Sequence, residues 1–267
     1  MHHDACRQVI EKVVQSALDL LGVTGPHTWR GYQVGNAFDG TTALLTRRRR
    51  KPPGRVTMPA GPEEKPMNDW IDLTRKLDQD LWIYQEDGYA DPPLAIERWA
   101  ERATEGFEVW RLALGTQTGT HIDAPCHFAD GGATLDALPA GACVGTYRLV
   151  TAEDLADPDV RFDWTGESHV LLDARTPHPA ATAAIDAMLA LPPLMIVMVG
   201  NLNVAHADPL WFHRRVAGAG KFLAEDLLEA VLDDIGDLAP AGDIIALPLR
   251  LMGVSGSPAR VLIRAKR

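Results

Sequence analysis

The chain has 267 residues, 46% of them hydrophobic, which is enough for one large globular domain with a sizeable core. Its formal net charge of −10 argues against nucleic acid as the main partner. The three cysteines form no CxxC pair, which excludes a disulfide framework and suits a reducing compartment. With no apolar run long enough to cross a membrane and no secretory signal pattern, the chain is expected to be a cytoplasmic protein.

The first 66 residues differ from the rest in charge and composition. They carry ten Lys and Arg against six Asp and Glu, whereas the remaining chain carries 16 against 30. Helical spacing of apolar residues predicts a helix over 5–21, and the Arg-, Pro- and Gly-rich stretch 46–66 is typical of a linker with no core to bury. We therefore divide the chain into an N-terminal extension, 1–66, and a functional domain, 67–267.

The functional domain shows strand patterns separated by shorter helical ones. Apolar or alternating runs predict strands at 70–74, 107–114, 144–150, 169–175, 194–200, 244–251 and 259–265, with a turn-rich loop at 83–93. Helices are predicted after a Thr151–Asp154 capping box, near 181–191, and from an Asp208-Pro209 pair to about Ala217. Because strands outnumber helices, we predict an α/β single domain with a mixed, β-rich core and crossover helices.

The densest group of chemically active side chains lies in TQTGTHIDAPCHF, residues 116–128. In an extended segment alternate side chains face the same way, which predicts one shared face for Gln117, Gly119, His121 and Asp123. An imidazole and a carboxylate two residues apart offer the N and O ligands that Zn²⁺ or Mn²⁺ accepts. Glycine in the middle of this face leaves room for an ion or a substrate.

A His-x-Asp pair taken alone is more often an ordinary surface pair than a metal site. Here Gly, Thr, His, Asp and Pro crowd into a few residues, which makes poor core material and favours a functional segment. A thiol nucleophile at Cys126, beside His127, is an alternative. The alternation of side chains along an extended segment argues against it, because Cys126 should point away from the face of His121 and Asp123. No G-x-S-x-G, P-loop or dinucleotide-binding pattern follows an apolar strand.

Two later residues are compatible with the same site. On the helix predicted after Asp208, i, i+3 and i+4 spacing places His213 on an inward face, where a histidine needs a polar partner. Glu225 lies at a strand-to-helix junction. From the residues alone, two other interpretations stay open. His213 would be a core histidine with a hydrogen-bond partner, and Glu225 would be an acidic residue that interacts favourably with the helix dipole.

The segment GTHIDAPCHF resembles the H-x-G-T-H-x-D-x-P-x-H signature of the cyclase family, which includes bacterial kynurenine formamidases, isatin hydrolases and polyketide cyclases. The resemblance extends from the strand after Asp69 and its proline-rich loop to LMIVMVGNLNVAHADPLWFHRRVAGAGKFLAEDL, and it covers roughly residues 67–267. It implies the family's swivelling β/β/α-like fold and a metal-dependent hydrolase.

Carried over position by position, the resemblance implies proton transfer by His127 and metal binding by four residues: His121, Asp123, His213 and Glu225. Gln117 departs from the family, which usually has a metal-binding His at this position. Its amide oxygen would be a weaker and harder ligand, better suited to Mn²⁺ or Mg²⁺ than to Zn²⁺, or it would hydrogen-bond the substrate. We therefore expect one or two divalent ions, Zn²⁺ or Mn²⁺.

The reaction implied is metal-assisted hydrolysis of an amide, lactam or formyl group, that is, of a C–N bond outside a peptide. The ion would polarise the carbonyl and lower the pKa of water, while His127 moves the proton. Two alternatives stay open: a cyclase or dehydratase acting on a polyketide-like intermediate, and a metal-free homologue that binds a small molecule or a partner protein.

The expected partners are a small, aromatic substrate and further copies of the chain in a homodimer or higher homo-oligomer, with no nucleic acid or membrane. Five aromatic side chains are candidates for a substrate pocket, with core packing as the alternative for each: Trp82, Tyr84, Trp110, Trp211 and Phe212.

Overall fold

The computed structural model describes residues 69–86, 88–233 and 237–265. The helix predicted over 5–21 and the linker over 46–66 lie outside the described residues, so the division at residue 66 stays a prediction. Among the described residues, no helix is long and apolar enough to cross a membrane.

Within these ranges the chain forms strands joined by short helices. The strands are β1 (Ile71–Asp72), β2 (Gln85–Glu86), β3 (Tyr89–Ala90), β4 (Ala95–Ala100), β5 (Val109–Ala113), β6 (His121–Asp123), β7 (Val144–Thr151), β8 (His169–Ala174), β9 (Met195–Gly200), β10 (Phe222–Glu225), β11 (Ala241–Pro248) and β12 (Gly256–Ala265). The α-helices are α1 (Arg102–Glu105), α2 (Ala152–Ala156), α3 (Thr182–Leu189), α4 (Trp211–Gly218) and α5 (Ala230–Asp233). Short 3₁₀ turns cover Pro125–His127, Leu135–Ala137 and Ala140–Ala142.

Eight strands form one mixed sheet in the order β1-β12-β11-β7-β8-β9-β10-β6. The four strands from β7 to β10 are parallel, and α2, α3 and α4 lie in the crossovers that parallel pairing requires. The other pairs are antiparallel, and β6 also pairs with β12, so the sheet closes on itself. The predicted α/β fold with a mixed β-rich core and crossover helices is confirmed.

Alternation along the strands divides the apolar core into two clusters. Leu171 on β8 and Val197 on β9 belong to an inner cluster, which the closed sheet surrounds together with Ile122 on β6. Their sequence neighbours Val170 and Ile196 belong to an outer cluster that the helices cover. Strands buried on both faces explain why these segments appear in the sequence as continuous apolar runs.

Three local predictions differ from the structure. The loop predicted over 83–93 contains a small hairpin, because β2 and β3 pair across a turn at Gly88. Strand β4 was not predicted, and it pairs with β5 in a second, separate hairpin. Helix α4 begins at Trp211 rather than at Asp208, because Asp208 instead forms a turn in which its carboxylate accepts the amide hydrogen of Leu210 at 2.9 Å.

We predict that His169, fully buried at the start of β8, makes the fold sensitive to acid. Burial lowers the pKa of His169 from 6.5 to about 4, so between these values the unfolded chain binds a proton that the folded chain does not. The free energy of unfolding should therefore be fully retained above pH 6.5 and fall, by up to about 3 kcal/mol, as the pH drops towards 4. Urea unfolding at pH 7, 6, 5 and 4 measures this.

The matched variant is His169→Gln, which cannot bind the proton. Other groups also titrate in this pH range. The effect of His169 is therefore the fall in the free energy of unfolding of the wild type minus the fall in that of the variant. An equal decline in both proteins would contradict the assignment to His169.

Candidate metal centre

Two adjacent strands place three of the predicted site residues on one face. On β6, the buried Ile122 packs into the inner cluster, so His121 and Asp123 face the other way. Strand β10 runs antiparallel to β6, with Glu225 directly opposite His121 and Leu223 opposite Asp123. Residues opposite each other in an antiparallel pair share a face, which brings Glu225 to the two β6 side chains.

Two other elements bring the remaining predicted residues to this face. Helix α4 carries His213, whose Nε2 lies 3.0 Å from a carboxylate oxygen of Glu225. The 3₁₀ turn after β6 carries His127, whose Nε2 lies 4.0 Å from Asp123 Oδ1. Phe128 packs between the two imidazoles, 4.3 Å from the His127 ring and 5.3 Å from the His213 ring. The structure therefore brings all five predicted site residues together.

The ligand atoms are spaced as a single bound ion would require. His121 Nε2 lies 3.5 Å from Asp123 Oδ1 and 3.5 Å from Glu225 Oε1, and one ligand atom of each lies within 4.8 Å of the others. Bonds of roughly 2.0–2.2 Å place neighbouring ligand atoms roughly 3–3.6 Å apart around one ion. The carbonyl of Gly119, 2.7 Å from His121 Nδ1, accepts the proton there and leaves Nε2 as the free ligand atom.

The electrostatics of the site favour a positive charge at its centre. Burial raises the pKa of Asp123, and the nearby charge of Glu225 raises it further. Burial also disfavours the charged form of Glu225, but hydrogen bonds with His121 and His213 outweigh it and hold the pKa of Glu225 below its usual value. The pKa of His121 is raised despite its burial, because the two carboxylates stabilise a cation beside them. The clustered donor set of one imidazole and two carboxylates fits a divalent ion.

The chain before His121 is not extended as the sequence predicted. Gly119 has a φ of 61°, a left-handed conformation that ends the alternation, and β6 begins only at His121. The shared face predicted from Gln117 to Asp123 is therefore wrong for its first half. Gln117 reaches the site through a turn instead.

Gln117 presents its amide nitrogen, and not its oxygen, to the site. Its Nε2 donates to Asp123 Oδ1 at 3.2 Å and to Ser255 Oγ at 3.4 Å, while its Oε1 accepts from the hydroxyl of Thr116 at 2.5 Å. If the amide were flipped, Gln117 Oε1 would lie against Asp123 Oδ1, and the two oxygens would repel each other. Gly256 makes room for this contact, since a Cβ there would lie 2.5 Å from Gln117 Nε2.

Asp226 has a structural role that sequence reasoning missed. It follows Glu225 directly and has a φ of 55°, the left-handed conformation that Asp tolerates better than most residues. Thr120 donates to its carbonyl at 2.8 Å, and Arg75 Nε lies 2.8 Å from its carboxylate. These contacts fix the turn at the end of β10 beside the metal-site face. The only sequence signal was an Asp directly after a strand-ending Glu.

The alternative sites considered from the sequence lie elsewhere. Cys126 packs against the inner cluster with its Sγ 3.8 Å from the Val254 carbonyl, and burial raises the pKa of its thiol, neither of which suits a nucleophile. Trp82, Tyr84 and Trp110 are exposed, whereas Phe212 is buried in the outer cluster and Trp211 packs against that cluster.

Comparison with known proteins identifies the family. A family model described as "Putative cyclase" matches residues 71–189. A kynurenine formamidase from Bacillus anthracis is 30% identical over 212 residues, covering 73% of this chain and 97% of that protein. The chain belongs to the cyclase family. A kynurenine formamidase from Geobacillus thermodenitrificans is 29% identical over 217 residues, 74% of this chain and 98% of that one.

Solved structures share the fold. Isatin hydrolase A from Labrenzia aggregata, bound to benzyl benzoate, superimposes with a TM-score of 0.58 at 21% identity, over 74% of this chain and 94% of that one. The predicted family is confirmed, as is the class of enzyme, a metal-dependent hydrolase of C–N bonds outside peptides. The individual roles of His121, Asp123, His127, His213 and Glu225 stay predictions.

We predict that the left-handed backbone conformation at Asp226 makes glycine a less destabilising replacement than alanine. Asp226→Gly and Asp226→Ala both remove the ion pair with Arg75, but only alanine is strained at a φ of 55°. The alanine variant should therefore be less stable than the glycine variant by about 1 kcal/mol, measured by urea unfolding. Equal stability of the two variants would mean that the left-handed turn is not maintained in solution.

Proposed function

We propose that this enzyme hydrolyses an amide, lactam or formyl group of a small substrate at the site formed by β6, β10 and α4. The observation that carries the proposal is the cross-strand pair of His121 and Glu225, with Asp123 beside His121 and with His213 Nε2 3.0 Å from Glu225. The names of the relatives, kynurenine formamidase and isatin hydrolase, support a C–N bond of an aromatic formamide or lactam as the target.

Four residues would hold the divalent ion: His121, Asp123, His213 and Glu225. A bound ion would polarise the substrate carbonyl and make a water molecule easier to deprotonate. The two ionised carboxylates carry negative charge, so they would compensate the charge of the ion, and the Gly119 carbonyl keeps His121 in the tautomer that can bind it. Zn²⁺ and Mn²⁺ both accept this donor set.

His127 is proposed as the group that takes the proton from water and returns it to the leaving nitrogen. It lies at the edge of the site, with a third of its side chain exposed and its Nε2 4.0 Å from Asp123. Burial lowers the pKa of His127 below 6.5, so the imidazole is neutral near pH 7 and able to accept a proton. This position allows it to reach a reacting water without belonging to the ligand set.

Gln117 supports a centre with one ion per chain. Its N–H donates to Asp123 Oδ1, and an N–H donor cannot bind a cation. The oxygen that could bind one accepts a hydrogen bond from Thr116 instead. We therefore propose that Gln117 orients Asp123 rather than acting as a ligand or as a substrate contact.

Assays of the purified full chain with N-formylkynurenine, isatin and simple lactones test the reaction. Turnover of a formamide or lactam that is lost with a chelator and restored by Zn²⁺ or Mn²⁺ would support the proposal. Absence of hydrolysis with every substrate, in protein shown to contain metal, would favour the cyclase or dehydratase alternative.

We predict that His127→Ala separates catalysis from metal binding. The variant should retain metal near the wild-type level, while its turnover number falls roughly 10²–10⁴-fold, the usual contribution of general acid–base catalysis. Asp123→Ala should lose both metal and activity. Elemental analysis and steady-state kinetics measure the two effects, with His178→Ala, an exposed histidine, as the control. Loss of metal in His127→Ala would make this residue a ligand.

We predict one equivalent of metal per chain in the wild type and more in Gln117→His. Histidine offers a lone pair where Gln117 offers an N–H, so a second ion could then share Asp123. Elemental analysis and calorimetric titration of the metal-free protein give the stoichiometry, with Gln117→Asn as the matched control that keeps the amide. Two tightly bound equivalents in the wild type, of which Gln117→Ala loses one, would identify Gln117 as a ligand.

A further inference from the structure

Ser255 lies beside the metal site but belongs neither to the sequence motif nor to the proposed ligand set. It is the last residue before β12, and its carbonyl accepts the amide hydrogen of Ala124 at 2.8 Å. The next residue, Gly256, lies directly opposite Asp123 in the β6–β12 pair. The backbone of Ser255 is therefore held against the strand that carries His121 and Asp123.

One amide group joins the Ser255 hydroxyl to the carboxylate oxygen at which the site converges. Asp123 Oδ1 lies 3.5 Å from His121 Nε2 and 4.0 Å from His127 Nε2. Gln117 Nε2 donates to the same oxygen at 3.2 Å and to Ser255 Oγ at 3.4 Å. Because a hydrogen bond spans roughly 2.7–3.2 Å, a substrate oxygen bound beside Asp123 would lie within reach of a donor in this position.

The directions of the hydrogen bonds leave the proton of the Ser255 hydroxyl available. Gln117 uses both amide hydrogens as donors, one to Asp123 and one to Ser255, so Ser255 Oγ is the acceptor in this contact. Among the residues that the structure describes, none accepts a hydrogen bond from this hydroxyl, and the side chain is only partly buried. An accepted hydrogen bond polarises a hydroxyl and makes it a better donor. Ser255 therefore presents an O–H group that a bound molecule can use.

Amide hydrolysis requires a donor of this kind. As water adds to the carbonyl carbon, the π electrons of the carbonyl move to its oxygen, and negative charge develops there. Removal of one preorganised donor to this oxygen typically lowers kcat by roughly 10²–10³-fold. The ionised carboxylates of Asp123 and Glu225 only accept hydrogen bonds, and both amide hydrogens of Gln117 are already used. Ser255 can supply the donor without displacing an existing contact.

We propose that Ser255 is a catalytic residue whose hydroxyl donates a hydrogen bond to the substrate carbonyl oxygen as negative charge develops there. The hydroxyl keeps its own proton, since His127 carries the proton of the attacking water to the leaving nitrogen. This role rests on the proposed hydrolysis of an amide, lactam or formyl group at the site. A contact that strengthens in the transition state should change the turnover number more than it changes substrate binding.

Kinetics of Ser255→Ala in the metal-loaded full chain test this role. With a formamide or lactam that the wild type hydrolyses, the turnover number should fall roughly 10²-fold while KM stays nearly unchanged. The metal content should equal that of the wild type, which separates Ser255 from the ligand set. The matched control is Thr165→Ala, which removes an exposed hydroxyl from the segment before β8 and should retain full turnover.

Binding of phenylphosphonate tests the same donor without turnover. This probe carries tetrahedral, negatively charged oxygens similar to the oxygen that becomes charged during amide hydrolysis. Calorimetric titration of the Zn²⁺-loaded proteins should give a dissociation constant roughly tenfold or more higher for Ser255→Ala than for the wild type and Thr165→Ala, because a hydrogen bond to a charged group is lost.

The two measurements distinguish failure of this role from failure of the proposed reaction. A wild type that hydrolyses none of the substrates, yet binds the probe more tightly than Ser255→Ala does, would contradict the reaction and support the donor. Unchanged turnover in Ser255→Ala, loss of its metal, or probe binding equal to that of the wild type would each overturn the role of Ser255.

Discussion

The antiparallel pairing of β6 with β10 is the interaction on which both the fold and the site depend. It closes the sheet, and its register places Glu225 opposite His121. A slip of one residue would turn Glu225 towards the inner apolar cluster and Ala224 towards the imidazoles, because side chains alternate along a strand. The apolar residues Ile122, Ala224 and Leu223 oppose such a slip, since each fills a core cluster only in the observed register.

The pairing of β6 with β10 also brings two carboxylates together where little water reaches them. Asp123 and Glu225 lie on one small face with little exposure to water, and two buried carboxylates repel each other unless a cation lies between them. In the protein alone, the neighbouring imidazoles of His121 and His213 supply that positive charge. A divalent ion would supply it more strongly, so binding of the ion and stability of the β6–β10 region are coupled.

The sequence allowed prediction of the elements with uniform local patterns. Strands β8 and β9 were identifiable because burial on both faces leaves continuous apolar runs, and His121 and Asp123 because strand alternation holds over those three residues. The position of Gln117 was not predictable from alternation, since Gly119 adopts a left-handed conformation. Strand β4 was missed because it is exposed on both faces and has no buried apolar periodicity to reveal it, whereas its partner β5 was predicted.

Gly119 also connects the turn before β6 to the segment that precedes it. A Cβ at this position would lie 2.9 Å from Leu77 and 3.5 Å from Leu81, so the loop after β1 packs directly on the glycine. The same glycine supplies the carbonyl that fixes the His121 tautomer. A side chain at position 119 would therefore destabilise this region in two ways, by straining the backbone at a φ of 61° and by displacing the loop. The glycine of the sequence motif is thus required by the backbone conformation and the close packing, in addition to any space it leaves for an ion.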